Sequence, residues 1–207
     1  MSGFFTLETP LPGARFGGWA RTSGDAASVV KAAEAEPAAL PQALAKSCGV
    51  LLLKGLHGIA QDPALLVRLS RLFGPEVEDY RRTLTPRHQV HEQVPEIFIV
   101  SNVAPVSRMP PKRPEPPLTS DGKFPVQYPQ RKGWHTDQSY RRPPPDISLF
   151  FAVAPVSRDQ GQTIFANGTL AYEALSPDMK RKVSQLDGLH AQPGSGRSRE
   201  AVLAGTK

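Results

Sequence analysis

Apolar positions along the chain fall into short, separated runs whose spacing changes from stretch to stretch. Residues 1–24 show no sustained period, are rich in Gly and Thr, and carry Pro10 and Pro12; they read as an irregular lead-in with room for one short strand. Residues 25–48 are Ala-rich. Asp25 suits an N-cap, Ala38 to Ser47 repeats apolar residues at helical spacing, and Gly49 stops the helix. Val50-Leu51-Leu52-Leu53 is wholly apolar and reads as a buried strand. Asp62-Pro63 then opens a helix with Asp62 as cap, Leu65, Leu66, Leu69 and Leu72 on its apolar face, and Phe73-Gly74-Pro75 at its end. Ile97 to Asn102 is the next strand candidate.

The pattern breaks after Asn102. Residues 104–145 hold 11 of the 22 prolines, a density that regular structure hardly survives, so 104–130 reads as a long loop, either a lid or an insertion. Ile147 to Val153 is a strong strand candidate ended by Pro155. Arg158 to Gly161 reads as a turn, and Gln162 to Ala166 as a strand able to pair with the first in a hairpin. Asn167 suits the cap of a helix carrying Leu170, Tyr172, Ala174 and Leu175. Ser176-Pro177 opens another with Met179 and Val183 on one side, and Leu186 to Ala191 is a final short strand candidate before a loop at Gln192 to Arg197. Strands and short helices mix without regular βαβ alternation. That disfavours a doubly wound sheet and predicts a mixed α/β (α+β) domain from 25 to 207.

Composition narrows this picture. At 207 residues the chain is long enough for a domain with a real core, while 39% hydrophobic residues, a mean hydropathy of −0.33, 22 Pro and 17 Gly favour a loop-rich domain over a helical bundle. The net charge of +6 permits an anionic partner, yet the Lys and Arg residues show no helical stripe and no aromatic interleaving, so nucleic acid is not expected. A single cysteine, Cys48, allows no internal disulfide and reads as a small core residue. No apolar run is long enough to span a membrane, and no charged segment followed by an apolar run opens the chain. The expectation is a cytoplasmic protein.

The candidate chemistry lies in Gly133-Trp134-His135-Thr136-Asp137-Gln138-Ser139-Tyr140. In an extended segment, side chains at i and i+2 leave one face, so His135 and Asp137 are placed to grip one metal ion. A second His from elsewhere would complete a 2-His-1-carboxylate face, which suits Fe(II) and leaves positions open for O₂ and a co-substrate. A surface imidazole and a loop carboxylate are the plainer alternative for such a short motif. Arg131, Lys132, Arg141 and Arg142 flank it and suit a small anionic substrate, although solvated loop charges account for them equally well. Trp134 reads as packing and Asn102 as a turn former. His57, His88 and His91 read as surface residues, His88 and His91 lacking a third ligand close by.

The run Gly49 to Gly55, then Leu72-Phe73-Gly74, Trp134 to Asp137, the Pro-rich step from Pro143 into Val153, Gln160-Gly161-Gln162-Thr163, and Ala171 to Ser176 together resemble the taurine/2-oxoglutarate dioxygenase (TauD/TfdA-like) family. These landmarks occur in family order across roughly Pro37 to Ala191. The resemblance implies a double-stranded β-helix, or jelly roll, with flanking helices. It implies an Fe(II) centre at which 2-oxoglutarate and O₂ hydroxylate a small-molecule substrate, with succinate and CO₂ as products. His135 and Asp137 match the first two iron ligands, and Thr163 matches the threonine that hydrogen-bonds 2-oxoglutarate. The family's distal His ligand and its 2-oxoglutarate-gripping Arg find no match, since His190, Arg197 and Arg199 fall too early. The resemblance therefore carries the expectation of a C-terminally truncated member. An inactive jelly roll serving as a binding or homo-oligomerising module through its open edge is the alternative.

Overall fold

The computed structural model describes residues 3–83, 85–101, 134–141, 143–154, 163–188 and 190. The chain divides into two compact units, Met1–Gly133 and Trp134–Lys207.

The first unit is a small sheet backed by helices. Strand β1 (Phe5–Glu8) pairs antiparallel with β2 (Gly18–Thr22), with Glu8 opposite Trp19, and β2 pairs in parallel with β3 (Leu51–Lys54), with Gly18 opposite Leu51. The expected irregular lead-in thus contributes two strands. A parallel neighbour requires a crossover, and helices α1 (Ala26–Ala35) and α2 (Ala39–Lys46) supply it between β2 and β3. The Ala-rich stretch splits into these two helices at Glu36-Pro37-Ala38, because a proline cannot continue the first helix. Asp25 caps α1 as expected, its Oδ1 accepting from Ser28 N–H at 3.0 Å and its Oδ2 from Ser28 Oγ at 2.6 Å.

The end of α2 is subtler than a glycine stop. Gly49 N–H donates to Leu44 O and Cys48 N–H to Ala45 O, the paired bonds of a Schellman turn. Cys48 takes the left-handed position at φ 52° and Gly49 follows it at φ 88°; Cys48 is exposed there and does not enter the core.

β3 is not the wholly buried strand that its four apolar residues suggested. It lies at the sheet edge and alternates, with Leu52 46% exposed. Helix α3 (Ala64–Ser70) starts one residue later than expected, with Pro63 rather than Asp62 at its cap and no side-chain cap bond. The 3₁₀ turn His57–Ala60 runs directly into it, since Asp62 N–H already donates to Gly58 O. Val29, Val30 and Ala33 of α1, Leu40 and Ala43 of α2, Leu65, Val67 and Leu69 of α3, and Leu56, Ile59 and Ala20 make up most of the core.

Arg68 on α3 grips Glu34 on α1 through both guanidinium–carboxylate bonds, at 2.8 and 2.6 Å. That pairing holds the Glu34 carboxyl below its ordinary range, and the Ser28 hydrogen bonds do the same for Asp25. A carboxyl whose folded pKa is depressed stabilises the fold above its unfolded pKa and loses that stabilisation as pH falls through the folded value. The thermal midpoint should therefore drop on acidification from neutral pH to below the ordinary carboxylate range. Glu34→Gln should flatten part of that drop, and because the pair is exposed the flattening should be small and should shrink in high salt. An acid profile identical in Glu34→Gln and the parent would refute the assignment.

Residues 97–101 form no strand. A single antiparallel bridge joins Phe98 to Val90, because the opposing segment is a 3₁₀ turn at Arg87–Gln89 and offers only Val90 in extended form.

In the second unit, Asn167 and Ser176 cap α4 (Gly168–Glu173) and α5 (Pro177–Val183) as expected, accepting from Leu170 N–H at 3.0 Å and Met179 N–H at 3.2 Å. The strands expected at Ile147 to Val153, Gln162 to Ala166 and Leu186 to Ala191 are absent among the described residues. β-propensity expresses how well a side chain fits a paired, half-buried surface. No described segment pairs with 147–153, where Phe150 and Val153 are 76% and 73% exposed. The described residues are thus mixed α/β, with one three-stranded sheet, in the first unit, and no β-helix among them. The 104–130 loop, the 158–161 turn and the 192–197 loop lie outside them. No described helix is long and apolar enough to cross a membrane.

Candidate metal-binding site

His135 and Asp137 open the second unit. His135 and Thr136 belong to no helix or strand, and a turn runs from Asp137 to Tyr140. Gln138 takes the left-handed region at φ 52°, and Arg141 N–H donates to Gln138 O at 2.9 Å. Arg141 Nη1 also donates to Gln138 Oε1 at 3.1 Å, which fastens the turn by side chain as well as backbone. The two side chains, two positions apart, meet at the start of this turn. His135 Nε2 lies 3.2 Å from Asp137 Oδ1.

This spacing suits one ion held by both groups. Two donors at right angles, each about 2.1 Å from an octahedral ion, stand about 3 Å apart. The donor set also fits: an imidazole nitrogen and a carboxylate oxygen are two of the three ligands of the facial triad of non-haem Fe(II) oxygenases. Both side chains are exposed, at 72% and 70%. Among the described residues no group of three His, Cys, Asp or Glu side chains is placed to hold a metal ion. The structure therefore brings the two expected ligands together and adds no third.

The other expected residues fare differently. Thr163 is exposed in an irregular stretch. Trp134, expected to pack, is 62% exposed. His91 has a structural task, its Nδ1 accepting from Val94 N–H at 3.1 Å. Asn102, Arg131, Lys132, Arg142, Arg197 and Arg199 lie outside the described residues.

One contact had no signal in the sequence. His190 Nδ1 lies 2.8 Å from Ser139 Oγ, 51 positions away in the chain. Neither residue belongs to a local pattern that could have linked them.

The His-x-Asp pair thus stands at the start of a turn closed by the left-handed Gln138, in a mixed α/β chain. The family can be stated outright: the model described as "Taurine catabolism dioxygenase TauD, TfdA family" matches residues 8–204, and the chain belongs to that family. Among curated relatives, it is 31% identical over 102 residues to pentalenolactone F synthase of Streptomyces arenae, covering 49% of this chain and 29% of that protein. It is 36% identical over 58 residues to a putative alpha-ketoglutarate-dependent sulfonate dioxygenase of Schizosaccharomyces pombe, covering 28% of this chain and 15% of that protein. The alpha-ketoglutarate-dependent dioxygenase cnsP of Penicillium expansum is 30% identical over 69 residues, covering 33% and 17% respectively. The matches thus span less than a third of each relative's length. No solved structure matches the chain.

Proposed function

We propose that the protein is an Fe(II)- and 2-oxoglutarate-dependent dioxygenase that hydroxylates a small organic substrate. The observation that carries this reading is the 3.2 Å juxtaposition of His135 Nε2 and Asp137 Oδ1 within a family match over residues 8–204. His135 and Asp137 would hold the iron, and the Thr163 hydroxyl would donate a hydrogen bond to a 2-oxoglutarate carboxylate. The chemistry supplied there is oxidation by O₂, with one oxygen atom entering the substrate as a hydroxyl and the other entering succinate as CO₂ leaves. The chain's own part is to position: His135 and Asp137 would be presented side by side at the start of the Gln138 turn. Cations at 131, 132, 141 and 142 favour a substrate bearing a carboxylate or sulfonate. The jelly roll inferred for the family is the fold that would complete this site.

The test is anaerobic addition of Fe(II) and 2-oxoglutarate to the folded chain. A weak visible charge-transfer absorption is expected, and folded protein without that absorption would reject the reading.

A further inference from the structure

We draw no further inference here: the strongest candidate, the exposed apolar surface patch of the second unit at Phe150, Val153, Phe165 and Leu186, carries nothing because nothing in the structure shows what covers it.

Discussion

His135→Ala should abolish the Fe(II)–2-oxoglutarate absorption while leaving the protein folded. Removing an outer partner of a metal ligand costs about 10- to 100-fold in affinity; removing the ligand itself should cost at least the upper figure. The His135 side chain is 72% exposed, and its contact with Asp137 is an exposed pair, so little stability is at stake. Substitutions at such positions usually change stability by no more than about 0.5 kcal/mol. The two readouts must therefore separate, with metal binding gone and the urea midpoint unmoved. Asp137→Ala should behave alike. If His135→Ala kept the absorption, the imidazole would be a surface residue and the proposed site would fall with it.

Gly18→Ala should show the opposite separation, with unfolding as its main effect. Gly18 opens β2, where its φ is ordinary, so the constraint is space rather than backbone. A Cβ there would stand 2.1 Å from Ser47 Oγ, 3.0 Å from Ser47 Cβ and 3.2 Å from Leu7 Cδ1. Ser47 cannot swing away easily. It is fully buried at the end of α2, and its carbonyl accepts from Gly17 N–H at 3.0 Å. Overpacking of a tight core costs roughly 1–3 kcal/mol and at times more; contact with an immobile neighbour belongs at the top of that range.

Ser47 supplies the control. Its Oγ is buried without a hydrogen-bond partner among the described atoms, a state that costs about 1–3 kcal/mol in desolvation. Ser47→Ala should therefore raise stability by about 1 kcal/mol. In the Gly18→Ala background it should recover more than that, because it also removes the 2.1 Å clash. A urea series over the four proteins measures the coupling. Strict additivity would show that Gly18 tolerates a methyl group for another reason.

What could be read from the sequence was what is local. Asp25, Asn167 and Ser176 act within three residues of themselves, so their chemistry as caps suffices to place them. The contact between His135 and Asp137 is local in the same way, since only two positions separate them. What could not be read depends on distant partners. Ile147 to Val153 has every residue preference of a strand, yet a strand exists only with a neighbour, and none of the described segments is one. Val50 to Leu53 was apolar enough for a central strand, and only the sheet order puts β3 at the edge. The expectation that Cys48 is a core residue failed because helix geometry, not polarity, places it: the Schellman turn needs a left-handed residue there. The Ser47–Gly18 packing and the Ser139–His190 bond join residues far apart in sequence, and no period or motif encodes either pair.

The parallel pairing of β2 with β3 also sets an order of events in time. β1 and β2 can close as a local hairpin, but Gly18 must wait for Leu51 until α1 and α2 have formed between them. Long-range closure is the slow step in such topologies, because chain entropy is lost before contacts reward it. We therefore expect the docking of α1 to lie within the rate-limiting barrier. Trimming Val30, which is fully buried on that helix, to alanine should act mainly on the refolding limb of a chevron plot. A loss confined to the unfolding limb would mean that the sheet closes first and the helices settle onto it afterwards.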